Sequence, residues 1–222
     1  DLPLKISIFI AVLIWIYIMN ITNFIDGSDG FLASASIFFF ISVIFLNFYF
    51  NLNLFSFYIA LLLLPILLIF LLFNKPIASI YMGDAGSIFL GYLIGFSTLE
   101  IIIEGYWYVP LVSNIYMLFD CSITIFKKTL KGHMPWVRLS DYYFLKPIIR
   151  NKLNQKYVFT CINIFNFVNI FLLIIVIHTK LYFIFCFNIM FVCLLLFIFE
   201  NKATMKYSRF KIFLKNFYKK IF

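Results

Sequence analysis

Charged residues are scarce in this 222-residue chain. They form 12% of the sequence, whereas hydrophobic residues form 64%, and soluble globular domains carry about 25% charged residues. The scarcity of charge excludes an ordinary soluble domain. It predicts an integral membrane protein.

Cysteine is also rare, and its placement is uninformative for chemistry. The four residues, Cys121, Cys161, Cys186 and Cys193, all lie in apolar stretches, and none forms a Cys-x-x-Cys pair. This excludes a disulfide framework and a zinc site, and it favours small, buried apolar side chains. The chain also lacks an initiating Met and a signal-peptide pattern, so we expect it to begin part-way through a gene product.

What the chain does contain is a series of long apolar stretches, several near the roughly 20 residues that span a bilayer. Lipid admits only helices and closed barrels, and these stretches are about twice as long as a barrel strand. We therefore predict an all-α fold, a polytopic transmembrane helical bundle in residues 1–200, followed by a basic amphipathic tail in residues 201–222. The seven predicted spans are 6–19, 31–50, 52–73, 88–103, 107–126, 157–177 and 181–199.

The distribution of Lys and Arg predicts an orientation, because these residues accumulate in cytoplasmic loops. If the seven spans alternate and residue 1 lies outside, 16 of the 18 basic residues lie inside, and only Lys5 and Lys180 lie outside. The same orientation places Asp26, Asp29 and Asp84 on the cytoplasmic side. The unusual polar residues then share one membrane face.

The formal net charge of +9 comes mainly from a loop, 127–156, and from the tail after residue 201. Both segments flank predicted spans. Anionic lipid headgroups attract such segments by about 1 kcal/mol per basic residue. We therefore interpret this charge as a membrane-proximal surface, and we do not expect nucleic acid as a partner.

The segment 20–30 reads Asn-Ile-Thr-Asn-Phe-Ile-Asp-Gly-Ser-Asp-Gly between two apolar stretches. Asp26 and Asp29 are three residues apart, which puts them on nearly one face of a helix. They could simply cap the helix that starts at Phe31, but one cap needs only one Asp. The combination favours a polar ligand site. Its other polar and small residues are Asn20, Asn23, Gly27 and Gly30.

A second acidic insert, Tyr-Met-Gly-Asp-Ala-Gly-Ser, occupies residues 81–87. Gly83 and Asp84 come just before a new apolar stretch, and a glycine-rich helix N-terminus suits phosphate. The carboxylate of Asp84 suits Mg²⁺, which is usually held by one or two carboxylates plus substrate phosphates. The alternative is that Asp84 or Ser87 only caps the helix.

Asp120 lies inside a predicted span, where a carboxylate is costly and often marks a functional site. It could instead reach towards Lys127 or Lys128. The loop that follows carries a basic cluster suited to a phosphate group, although a lone His in a loop is often incidental. The loop candidates are Lys127, Lys128, Lys131, His133, Arg138 and Asp141.

Segments 20–30 and 83–91, with Asp120 and its basic loop, resemble in order and spacing the polyprenyl-phosphate N-acetylhexosamine-1-phosphate transferases. This group of glycosyltransferase family 4 includes phospho-N-acetylmuramoyl-pentapeptide transferase. The resemblance implies that a polyprenyl (undecaprenyl) phosphate attacks the β-phosphorus of a UDP-sugar and releases UMP. It implies Mg²⁺ as cofactor, with Mn²⁺ as an alternative, and a multi-pass protein of the bacterial inner membrane with a cytoplasmic active site.

The resemblance also implies roles for individual residues. Asp26, Asp29 and Asp84 would be catalytic, and Asp84 and Asp26 would hold the metal. The substrate-binding residues would be Asn20, Asn23, Gly83, Asp120, Lys128, His133 and Arg138. The implied partners are a UDP-N-acetylhexosamine, polyprenyl phosphate and membrane lipids, with a homodimer left open.

Two departures from the family pattern bear on function. The family's paired Asp-Asp on an earlier cytoplasmic loop is absent from this chain, which predicts that about four preceding spans are missing. In place of neighbouring His residues, the last large loop has His133 and then Arg138-Leu-Ser-Asp-Tyr-Tyr-Phe. This favours a branch that starts surface polysaccharides over the peptidoglycan enzyme.

Two other functions stay open at this point. A transporter or channel would also place carboxylates in and near the membrane, but it would distribute polar residues through several spans, and no internal repeat supports it. The spans are almost uniformly Phe, Ile and Leu. An inactive fragment that lacks the Asp-Asp pair is the other alternative.

Overall fold

A computed structural model describes residues 3–134, 141–151 and 153–221, with residues 204–221 described by their backbone only. The described residues form helices and no strands, which confirms the predicted all-α fold. The helices are α1 (Leu4–Ile25), α2 (Phe31–Phe50), α3 (Phe55–Asn74), α4 (Gly83–Ile103), α5 (Tyr108–Ser113), α6 (Ile115–Leu130), α7 (Lys146–Asn151), α8 (Gln155–Thr179) and α9 (Ile184–Ile221).

Six of these helices are long and apolar enough to cross a membrane: α1, α2, α3, α4, α8 and the part of α9 at Ile184–Ala203. The remaining predicted span, 107–126, is divided between α5 and α6. Asn114 lies at the break, where its backbone N–H and its Nδ2 both donate to the carbonyl of Pro110, at 3.2 and 3.1 Å. With 16 residues, α6 is too short to count as a membrane span, and it carries the charged residues Asp120, Lys127 and Lys128.

Helix ends differ from the apolar stretches that predicted them. α1 continues through Asn20 and Asn23 into the first acidic segment, and α4 begins at Gly83 rather than at residue 88. A helix needs backbone hydrogen bonds, not apolar side chains, so polar residues can extend it beyond the membrane. α9 likewise continues from the predicted span into the predicted tail as far as Ile221.

The helix α2 occupies the centre of the bundle. Buried residues make up 72% of its apolar window, compared with 11% for α1 and 17% for α3. Phe39 and Phe40 of α2 are fully buried and meet edge to face, with ring centroids 5.3 Å apart. The apolar surfaces of α1 and α3 are therefore free to contact lipid.

Helices α1 and α4 approach closely because α4 presents small residues at every fourth position: Ser87, Gly91 and Gly95. A Cβ at Gly91 would overlap Thr22 of α1, and one at Gly95 would overlap Trp15. Such spacing lets the backbones of membrane helices come together. The contact fixes the first acidic segment, at the end of α1, beside the second, at the start of α4.

At the opposite end of the bundle, Glu100 of α4 caps α3. Its two carboxylate oxygens accept the backbone N–H groups of Phe55 and Ser56, each at 2.8 Å, and the hydroxyl of Ser56. The first N–H groups of a helix have no partner within it. Glu100 therefore satisfies the start of α3 and ties it to α4.

Gly91→Val is expected to destabilise the fold by about 1–3 kcal/mol, because the added side chain forces α1 away from α4. Thermal unfolding of the purified chain in lipid nanodiscs measures the effect. Ile88→Val is the matched control, since Ile88 lies on the exposed side of the same helix. Equal unfolding temperatures for the two variants would contradict the proposed close contact.

Candidate functional site

Three polar segments meet at one end of the bundle, which we call the polar end: residues 20–30, 74–87 and 141–151. Asn23 contacts Asp84, and Gly30 contacts Asn74. The ring centroids of Phe24 and Tyr142 lie 6.0 Å apart. Segments far apart in the sequence thus build a single surface.

The first and second acidic segments are joined through Asn23. Its Nδ2 donates to Asp84 Oδ1 at 3.1 Å and to Ser87 Oγ at 3.0 Å. Asp84 is exposed in the first turn of α4. Gly83, at φ +65°, has open space where a side chain would lie. The site therefore offers a carboxylate and a helix N-terminus to a ligand from solution.

Asp29 and Asn74 secure the connection between α3 and α4. Asp29 Oδ2 accepts the backbone N–H of Ala78 at 3.0 Å. Asn74, which is buried, accepts the N–H of Gly30 at 3.1 Å and donates to the carbonyl of Ile80 at 2.8 Å. The hydrogen bond from Ala78 gives Asp29 a structural role. Its predicted catalytic role stays a prediction.

Gly30 is required by its backbone and by its surroundings. Its φ of +72° lies in the left-handed region, and a Cβ would overlap the ring of Phe159 and press on the backbone of Lys75. The first acidic segment is thereby packed against α8 as well as α3.

The remaining residues of the first segment lie differently. Asn20 is exposed, and its side chain donates to the carbonyl of Ile16 on its own helix at 3.0 Å. Asp26 is half-buried immediately after the end of α1. The structure joins Asn23 to Asp84 directly, and the roles predicted for Asn20 and Asp26 stay predictions.

Beside the acidic segments lies a cavity of about 250 Å³, which we call the basic pocket. Five Lys and Arg side chains line it against two carboxylates. Leu145, the neighbour of the lining residue Lys146, packs against the first acidic segment, since a Cβ at Gly27 would lie 3.3 Å from its side chain. The pocket is lined by Thr124, Lys127, Lys128, Lys131, His133, Asp141, Tyr143, Lys146, Arg150 and Glu200.

The basic pocket contains two of the predicted substrate-binding residues, Lys128 and His133. Desolvation by burial lowers the pKa of Lys128, while the nearby carboxylate of Asp141 acts in the opposite direction. A third, Arg138, lies outside the described residues. The pocket thus suits an anionic group, as the basic cluster predicts.

Two carboxylates hold cations of the pocket in place. Lys146 pairs with Glu200 of α9 at 2.5 Å, and Arg150 pairs with Asp141 at 2.8 Å. Lys146, Arg150 and Glu200 were not among the predicted residues. The sequence could have indicated Glu200 as a partner for these cations, because it is the one acidic residue after Asp141.

Asp120 is buried on α6, with 1% of its surface exposed. Its oxygens accept four hydrogen bonds from the protein, two from backbone N–H groups and two from hydroxyls. Direct contact with a substrate stays a prediction. The described contacts favour an indirect role.

The carboxylates of the polar end are ligands of the type that Mg²⁺ takes when substrate phosphates complete its coordination. The described residues form no cluster of three or more Asp, Glu, His or Cys side chains that could hold a metal. Asp84 is exposed and Asp26 is half-buried, and Mg²⁺ is usually held by one or two carboxylates plus substrate phosphates. These two residues would hold it.

Comparison with known proteins gives a match over part of the chain. The sequence model of glycosyl transferase family 4 matches residues 1–102, which include both acidic segments. The matched residues make up a little less than half of the chain. The basic pocket is built from residues beyond the matched part.

One curated protein that is similar to this chain is the phospho-N-acetylmuramoyl-pentapeptide-transferase of Leuconostoc citreum (strain KM20). The two are 35% identical over 94 residues, which cover 40% of this chain and 28% of the relative. The match therefore spans little more than a quarter of the relative's length. No solved structure matched the chain.

Asn74→Ala is expected to destabilise the polar end by about 1–3 kcal/mol, because it leaves the buried N–H of Gly30 without its acceptor. Amide hydrogen exchange at Gly30 measures the local effect, and thermal unfolding measures the global one. Asn53→Ala, at an exposed position near the opposite end, is the control. Unchanged protection at Gly30 would show that Asn74 does not hold the two segments.

Proposed function

We propose that this protein transfers a sugar-1-phosphate from a UDP-sugar, a UDP-N-acetylhexosamine, to polyprenyl phosphate and releases UMP. The observation that carries the proposal is that the two acidic segments contact each other at one end of a membrane bundle and pack against the segment that also lines the basic pocket. The match of residues 1–102 to the sequence model of glycosyl transferase family 4 supports it. The product would start a cell-envelope polysaccharide.

Phosphoryl transfer depends on charge neutralisation and in-line positioning more than on covalent chemistry by the protein. The polar end supplies groups for both needs. Asp84 and Asp26 would hold Mg²⁺, which supplies positive charge to phosphate oxygens when bound. Asn23 orients the carboxylate of Asp84 through its hydrogen bond, and Lys128 and His133 would bind phosphate or sugar.

The proposed reaction forms one bond and breaks one. An oxygen of polyprenyl phosphate attacks the β-phosphorus of the UDP-sugar, and the bond from that phosphorus to the bridging oxygen of UMP breaks. Polyprenyl-diphospho-sugar and UMP result. The exposed apolar surfaces of α1 and α3 next to the polar end suit an acceptor that arrives from the lipid phase.

The choice of sugar phosphate as the transferred group is supported by the name of the Leuconostoc relative, which transfers phospho-N-acetylmuramoyl-pentapeptide. The bias of Lys and Arg supports a cytoplasmic active site at the bacterial inner membrane. Both statements are extended to this chain as part of the proposal.

The first experiment measures UMP release from UDP-N-acetylhexosamines by membranes that carry the complete gene product. We expect release that requires both added polyprenyl phosphate and Mg²⁺, and the donor that supports it identifies the sugar. Omission of the lipid, and chelation of the metal with EDTA, are the controls. No release from any donor by a folded protein would overturn the proposal.

Asp84→Asn is expected to lower Mg²⁺-dependent transfer by at least about a hundredfold, because it removes a charged ligand from the reacting centre. The unfolding temperature should change little, since Asp84 is exposed. Glu104→Gln, which alters an exposed carboxylate at the opposite end, is the matched control. Retained activity in Asp84→Asn would remove Asp84 from the metal site.

A further inference from the structure

The carboxylate of Asp120 joins two parts of the chain with a symmetrical set of hydrogen bonds. Oδ1 accepts the hydroxyl of Thr124 at 3.2 Å and the backbone N–H of Tyr143 at 2.9 Å. Oδ2 accepts the hydroxyl of Tyr116 and the backbone N–H of Phe144, each at 3.1 Å. Each oxygen thus takes one donor from α6 and one from the segment before α7.

The two N–H groups belong to the start of a helical turn. The carbonyl of Tyr142 accepts the N–H groups of Leu145 and Lys146, so Tyr143 and Phe144 carry the first N–H groups of this turn, which lack partners within it. Asp120 supplies those partners from another helix. A negative charge at this position is also favoured by the dipole of the turn.

The side chain of Tyr143 lies between two cations of the basic pocket. Its hydroxyl accepts a hydrogen bond from Lys127 Nζ of α6. Lys146 Nζ lies 4.0 Å from the centre of its ring, a distance at which a cation is attracted to the ring face. Tyr143 therefore sets the separation of Lys127 from Lys146.

These contacts connect Asp120 to two cations of the basic pocket. Asp120 fixes the backbone at Tyr143, Tyr143 fixes Lys127 and Lys146, and Glu200 of α9 holds Lys146 from the other side. Asp120 itself is 1% exposed. It can affect a ligand in the pocket only through the residues that it holds.

We propose that Asp120 is a positioning residue that arranges Lys127 and Lys146, through Tyr143, to bind a diphosphate group in the basic pocket. The inference rests on the proposed function, since a UDP-sugar carries such a group. Binding of inorganic diphosphate tests it separately from turnover.

The experiment compares two Asp→Asn changes in the purified full chain in nanodiscs, with EDTA present so that no metal contributes. In Asp120→Asn one oxygen becomes an NH₂ group, which cannot accept its N–H and hydroxyl partners. We expect inorganic diphosphate to bind about tenfold more weakly by calorimetry, equivalent to the loss of one good charge-assisted contact. Amide exchange at Tyr143 and Phe144 should become faster.

Asp141→Asn is the matched control. It also removes one negative charge near the pocket, but Asp141 is partly exposed and contacts Arg150 rather than Tyr143. We expect this variant to bind diphosphate more tightly than the parent chain, because the change removes a negative charge from the pocket and frees Arg150 to contact the anion. Charge alone would move both variants in the same direction, so opposite shifts support positioning.

Tyr143→Phe tests the next step without changing the buried carboxylate, and it serves if Asp120→Asn fails to fold. It retains the ring beside Lys146 but loses the acceptor for Lys127, so diphosphate should bind several-fold more weakly at an unchanged unfolding temperature. In the complete enzyme, a positioning role raises KM for the UDP-sugar more than it lowers kcat.

The proposal is overturned if Asp120→Asn and Tyr143→Phe bind diphosphate as tightly as the parent chain, or if the parent chain binds none. Expected binding shifts in a protein without transferase activity would support the positioning role while the proposed function failed. Transferase activity in a protein that does not bind diphosphate would support the proposed function and overturn the positioning role.

Discussion

The close approach of α1 and α4 is the contact on which the polar end depends. Gly91 and Gly95 leave room for Thr22 and Trp15, and Trp15 Nε1 also donates to the carbonyl of Tyr92 at 3.0 Å. In lipid, helices associate through packing and hydrogen bonds and gain little from the hydrophobic effect. Small residues at every fourth position therefore decide which helices meet, and with them which polar segments meet.

The chemistry of the polar end is divided between two sources. Residues 1–102, which match the family, supply the acidic segments, and residues 124–200 supply the basic pocket. Leu145 against Gly27 and Phe144 against Phe31, with ring centroids 4.9 Å apart, join the two. The acidic segments and the basic pocket are thus held together by apolar contacts.

Local patterns were sufficient to predict part of this structure. Long apolar stretches predicted the helices, and the bias of Lys and Arg predicted that both acidic segments share one membrane face. The contact between Asn23 and Asp84 was not itself predicted. The break at Asn114 was not predicted, because Ser113 and Asn114 are only two polar residues within a long apolar stretch. A hydropathy average over a window of about 20 residues does not detect the single residue at which one helix ends and the next begins.

Local sequence patterns also could not predict contacts between residues that lie far apart in the sequence. The N–H partners of Asp120 lie 23 and 24 residues further along the chain, and Glu200 lies 54 residues beyond Lys146. A carboxylate in an apolar stretch shows that it needs partners, but not which ones. Tertiary packing makes that choice, so residue type alone cannot separate a substrate ligand from a residue that anchors a loop.

Glu100 has a mechanical consequence for the site at the other end of the molecule. It fastens the first residues of α3 to α4, while Asn74 and Asp29 fasten the last residue of α3 and the connection that follows it. The hairpin of α3 and α4 is therefore closed at both ends. α3 cannot slide along α4 by even one residue, a rise of about 1.5 Å, without breaking these bonds. The depth of Asp84 relative to the lipid is thus set partly by a carboxylate at the far end of its own helix.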